Sequence, residues 1–166
     1  MKFAPKNAIY LLLITFPVIL IDQITKIWAI SLKGGLSVTV FESWFHLIYA
    51  ENRGALFSLG SQFSEAMRKA VFLGFSTVVT LFVLGLLMVK SESKILTAVY
   101  ALVIGGAVGN LIDRYRLGFV IDFIDWHVKD AYHWPTFNIA DAAIVAAVTL
   151  VAIELLFFQK KKNPEN

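Results

Sequence analysis

Apolar residues in this chain fall into four long blocks, at about 8–30, 67–89, 95–112 and 137–158, separated by two mixed segments and the short polar loop KSESK. About 20 apolar residues cover the roughly 30 Å of hydrocarbon in a bilayer, so each block predicts a spanning helix. The first block follows Lys2 and Lys6 and has the look of a cleavable leader. No small-x-small cleavage site follows it, however, and helical periodicity runs on through Asp22, Gln23, Thr25 and Lys26 to Ile30. It is therefore read as a retained span, with Pro17 a candidate kink.

The mixed segments have a different pattern. Residues 31–66 open with Gly34 and Gly35, pass through the β-branched string LSVTVF, and carry Trp44, Phe45 and Tyr49. That pattern predicts a small β element at a membrane interface. Residues 115–136, with Trp126 and Trp134, read as a second outer loop segment, and KKKNPEN as a polar tail. The expected fold is thus an all-α integral membrane protein: one domain built as a four-helix bundle, with a small extracytoplasmic β element and a second extracytoplasmic loop segment.

Composition sharpens this picture. The 166 residues are 58% hydrophobic and 16% charged, with a mean hydropathy of +0.71, too little polar surface for a water-soluble domain of this size. Cysteine is absent, which removes disulfides and thiolate chemistry. The net charge of +3 owes much to Lys2, Lys6, Lys90, Lys94 and Lys160 to Lys162, at the ends and in the short loop. That placement speaks for orientation in a membrane and against nucleic-acid binding. Four spans put both termini on one face, and the lysines mark it as cytoplasmic. Arg53, Arg68, Arg114 and Arg116 on or near the other face make the bias a majority vote.

Ionisable groups in or beside a span cost about 2.5–3.5 kcal/mol each at the helix centre, so each needs a reason. Asp22 and Lys26 sit four apart on one helical face and can pair. Asn110, Asp113 and Arg114 share a face at the outer end of the third span, and Asn138 and Asp141 repeat the three-residue spacing at the fourth. Counting from Lys94 to Asp113 gives roughly 28 Å, one crossing, so Asp113 and Asp141 lie at the same depth. Asp122, tethered between those helix ends in FVIDFID, can reach either. Carboxylates and amides gathered at one interface suit acid–base hydrolysis: two close carboxyls share a proton, one accepting from water while the other donates to the departing group.

These residues stand in five ordered blocks, DQITK at 22–26, NRGALFS at 52–58, GGAVGNLIDR at 105–114, VIDF at 120–123 and FNIAD at 137–141. Together they resemble the lipoprotein signal peptidase (signal peptidase II) family. The resemblance implies an aspartic endopeptidase of the bacterial inner membrane. It would remove the signal peptide of diacylglyceryl-modified prolipoproteins, cutting just before the lipidated cysteine, with no metal and no cofactor. The two catalytic aspartates would be Asp122 and Asp141. The family's supporting polar positions fall on Asp22, Lys26, Asn52, Gly54, Asn110, Asp113, Arg114 and Asn138. Partners implied are the lipidated substrate and membrane lipids, with the enzyme a monomer. Within that frame, Asn110 and Asn138 orient the dyad or hold substrate backbone, Asp113 with Arg114 fixes the end of the third span, and Gly54 permits close backbone approach to a ligand.

Plainer readings compete at several positions. Asp22 and Lys26 either staple the first span to the bundle or touch substrate. Gly105, Gly106 and Gly109 read as helix packing, since no strand precedes them and no lysine-serine pair follows, as a nucleotide loop would need. Asp125, His127, Asp130 and His133 read as a solvated or headgroup-contacting loop before a metal cluster. Trp44, Phe45, Trp126 and Trp134 read as an interface belt. A serine triad lacks any nucleophile elbow. A transporter would need polar groups through the whole thickness, whereas here they gather at one interface.

Overall fold

The computed structural model describes residues 4–54, 64–89, 93–129 and 132–158. The polar tail 160–166 and residues 55–58 of the NRGALFS block lie outside them. Four helices are long and apolar enough to cross a membrane: α1 (Pro5–Leu32), α2 (Glu65–Leu87), α3 (Lys94–Leu117) and α4 (Ile139–Ile153, continued by a wide turn at Glu154–Phe158). Ser64 and Ser93 cap α2 and α3, each hydroxyl accepting from the backbone N–H three residues on, Met67 and Leu96, at 3.2 Å. The charged residues at 113, 114 and 116 do not stop α3, which was expected to end at 112. It runs on to Leu117 and ends at Gly118, whose φ of +81° few other residues adopt cheaply. Proline has no N–H to return to residue 13, and Pro17 sits in the first turn of a regular stretch just past a wide turn at Leu11–Thr15.

Helix α3 is the most enclosed of the four and packs against the other three. At its first half, Ala101 and Ile104 meet Leu87 of α2, with Tyr10, Leu11 and Ile14 of α1 around them. Asn7 of α1 donates to the carbonyls of Leu87 (2.8 Å) and Val89 (3.1 Å), satisfying the last turn of α2. Large apolar side chains such as Phe75, Val78 and Phe82 on α2 and Val145 and Val148 on α4 point outward. Such faces are costly in water and suited to lipid.

The extramembrane part departs from expectation. A four-stranded antiparallel sheet in the order β1-β2-β3-β4 joins both mixed segments: β1 (Val38–Phe41) and β2 (Phe45–Asn52) from the first, β3 (Val120–Val128) and β4 (Tyr132–His133) from the second. The second segment, expected to be a loop, thus supplies half the sheet. Its alternation of β-branched and aromatic residues is a strand signal that Asp122 and Asp125 interrupt, and the partner lies some 70 residues away, where Ala50 faces Asp122 and His46 faces Asp125. Asp125 and His127 are accordingly buried in β3 and not solvated in a loop; Asp130 lies outside the described residues. The sheet sits on the C-terminal end of α1, with Ile121 and Phe123 against Ala29. Of the residues read as an interface belt, Trp44, Trp126 and Trp134 are exposed and Phe45 is half-buried.

The glycines of α3 are contact points between helices. A methyl group at Gly105 would lie 2.9 Å from Val18 of α1, and one at Gly106 would overlap the carbonyl oxygen of Ala140. At Gly109 it would come within 2.6 Å of the Asp22 carboxylate and 3.2 Å of the Ala140 side chain. Gly109→Ala is therefore expected to destabilise the fold by about 1–3 kcal/mol through overpacking, measured as a lowered thermal unfolding midpoint in detergent.

Candidate active site

Lys26 is the centre of the polar cluster. Its ammonium, almost wholly buried, lies 2.9 Å from Asp22 Oδ2 and 2.9 Å from Asp113 Oδ2, and it donates to Asn110 Oδ1 at 2.9 Å. Three acceptors match the three N–H bonds of a lysine, so one cation ties α1 to α3. Both carboxylates bond onward as well. Asp22 Oδ1 accepts from the backbone N–H of Ala140 at 2.9 Å, which brings in the first turn of α4, and Asp113 Oδ2, the oxygen that faces Lys26, also accepts from the backbone N–H of Ile121 at 3.1 Å, which positions β3. Asp22 and Lys26 thus pair and staple α1 to the bundle, the plainer of the two readings drawn from the sequence.

Two further carboxylates hang from this frame. Asn110, its oxygen held by Lys26, donates through Nδ2 to Asp141 Oδ1 at 2.8 Å. Asn138 caps α4: its Oδ1 accepts from Asp141 N–H at 2.9 Å while Asp141 Oδ2 accepts from Asn138 N–H at 3.3 Å. The amide nitrogen of Asn138 donates to Asp122 Oδ1 at 2.6 Å, and Asn52 at the end of β2 donates to Asp122 Oδ2 at 2.9 Å. Asp122 has no exposed surface. Burial raises its carboxyl, the bonds from Asn52 and Asn138 and the Lys26 charge lower it, and the Asp141 charge raises it; the balance pushes it up to about 6. A carboxyl so placed exchanges protons near neutrality.

The sequence candidates divide cleanly. Asp22, Lys26, Asn110, Asp113, Asn138, Asp122 and Asp141 form one connected network, and Asn52 joins it from the sheet. Gly54, at φ +97°, donates its N–H to Asn52 Oδ1 at 3.0 Å and fixes that amide. What approaches Gly54 closely is the Phe72 ring of α2, 2.7 Å from where a Cβ would stand. Arg114 does not pair with Asp113, since adjacent helix residues face apart; it lines a cavity of about 360 Å³ with Asn52, Arg53, Phe72, Arg116 and Phe119. Gln23 was missed. Its amide donates to Asp22, Asp113 and the Gly109 carbonyl at 3.1–3.2 Å, and nothing but its place in DQITK could have signalled it.

The family model described as signal peptidase (SPase) II matches residues 14–157, which include every member of this network. The chain belongs to the signal peptidase II family. Relatives named lipoprotein signal peptidase bear this out. The one from Dichelobacter nodosus is 37% identical over 92% of this chain and 96% of its own length. That from Clostridium tetani is 40% identical over 83% and 86%. Two solved structures, described as bacterial membrane enzymes obtained by the in meso method, superpose with TM-scores of 0.78 and 0.77 at 28% and 29% identity. They cover 99% and 95% of this chain and 96% and 97% of their own. Membership implies a membrane-bound peptidase.

Within that family frame Lys26 is the residue whose loss propagates furthest. Lys26→Met leaves Asp22 and Asp113 buried without their cation and is expected to cost about 3–5 kcal/mol, read as a lowered unfolding midpoint in detergent.

Proposed function

We propose that this chain removes the signal peptide from diacylglyceryl-modified prolipoproteins, cutting before the lipidated cysteine, with Asp122 and Asp141 as an aspartic dyad. The observation that carries the reading is that the two carboxylates hang from one hydrogen-bonded frame. Asn138 touches both, and Asn110 and Asn52 hold one each, at the end of the bundle where the sheet begins. With one proton shared between them, the charged carboxyl takes a proton from water as it attacks the scissile carbonyl. The neutral carboxyl then protonates the departing amide nitrogen. Both roles are filled by the dyad, so the step as written uses neither metal nor cofactor. The apolar helix faces accept the lipid chains and signal-peptide helix laterally, and the arginine-lined cavity is bounded by Asn52, which donates to Asp122.

The lysine distribution supports a setting in the bacterial inner membrane, with both termini cytoplasmic and the sheet and dyad near the outer face. The enzyme works there as a monomer, its partners being the lipidated substrate and membrane lipids.

Cleavage of a synthetic diacylglyceryl-cysteine signal peptide in micelles tests the assignment. Asp122→Asn and Asp141→Asn, each shown to fold, should lose at least about 10²-fold in rate; activity retained by either one overturns the dyad.

The pH profile gives an independent check. One limb of kcat/KM should lie near pH 6, where Asp122 exchanges its proton. The bond from Asn52 favours the ionised carboxylate, so removing it raises the pKa. Asn52→Ala should therefore move that limb to higher pH, and a limb that stays in place would detach it from Asp122.

A further inference from the structure

On the sheet, two cross-strand pairs bring three histidines and an aspartate near one another. His46 of β2 lies opposite Asp125 of β3, and His127 of β3 lies opposite His133 of β4. Asp125 and His127 are two apart on their strand and share a face. The imidazoles crowd together: the His127 ring centroid is 4.4 Å from that of His46, edge to face, and 4.9 Å from that of His133, stacked. One ligand atom each of His46, Asp125 and His127 lies within 4.8 Å of the others. His133 Nδ1 is 3.2 Å from Asp125 Oδ1.

The second observation is a buried polar atom with nothing to bond. His127 is 5% exposed and Asp125 6%. Yet His127 Nδ1 has no hydrogen-bond partner among the described residues, although Asp125 Oδ2 is 3.3 Å away, because the pair lacks hydrogen-bond alignment. An unbonded nitrogen in such a place is costly, and a cation drawing on its lone pair removes the cost.

We infer that His46, Asp125 and His127 bind a zinc-class divalent ion. Two imidazoles and one carboxylate are donors that zinc accepts, and three protein ligands leave the fourth tetrahedral position to water. Bonds of about 2.0–2.1 Å put ligand atoms roughly 3.4 Å apart, so the side chains draw in by about 1 Å on binding. Asp122 is three residues from Asp125 on the same strand, an odd spacing that puts it on the opposite face. The ion is therefore not part of the dyad. It pins β2 to β3, and β3 carries Asp122.

The test is calorimetric titration of Zn²⁺ alone into the full chain in detergent, with no polyhistidine tag and with prior chelator stripping. Wild type should bind one ion per chain and melt at higher temperature when loaded. His46→Ala and His127→Ala should each weaken binding by about tenfold or more. His46 is only half-buried, so its variant stands as the folding-safe arm, checked by an unfolding midpoint matching that of stripped wild type. Absence of saturable binding by wild type, or binding unchanged in both variants, overturns the site. Peptide cleavage is not the readout, so failure here leaves the dyad reading untouched.

Discussion

A single buried ammonium group organises the functional end of this protein. Removing Lys26 from water is expensive, and it is tolerable only because Asp22, Asp113 and Asn110 arrive from two helices to meet it. Each of those partners then has a second obligation. Asp22 receives the first turn of α4, Asp113 receives the start of β3, and Asn110 reaches Asp141. The charge on one side chain of α1 thereby sets the relative height of three helices and a strand, and the proposed dyad stands at the meeting point.

That meeting requires close helices, which is where the small residues act. Gly109 stands beside both Asp22 and Ala140, and Gly106 leaves room for the Ala140 carbonyl. A bundle held apart by ordinary side chains could not let a carboxylate on α1 accept a bond from the backbone of α4. Small residues and buried charges are two halves of one arrangement: van der Waals approach between the helices, and directional bonding at the end where the sheet begins.

Much of this was legible in the sequence, because the strongest signals are local. Four apolar blocks gave four helices, and three- and four-residue spacings placed Asp22 with Lys26 and Asn138 with Asp141 on common faces. What escaped were features decided by distant partners. The strand at Val120–Val128 hid behind its two aspartates and forms its ladder with residues some 70 positions earlier. The extension of α3 to Leu117 depended on Gly118 and not on the charges before it. Gln23 looks like an ordinary polar residue until Asp113 is brought to it, and His46 could not be joined to Asp125 and His127 before the strand register was known.

The double duty of Asn138 sets a limit on what that position can hold. As helix caps, asparagine, aspartate and serine are nearly equivalent. Here the oxygen end of the side chain faces the Asp141 N–H and the nitrogen end faces Asp122, so the amide is locked in one orientation. Aspartate would start α4 equally well and press a second negative charge on Asp122. Serine would cap the helix and leave that carboxylate with Asn52 as its one side-chain donor among the described residues. A position that looks permissive by secondary-structure rules is thus restricted to one amide, and the beginning of the last membrane helix cannot drift along the chain without moving the proposed dyad with it.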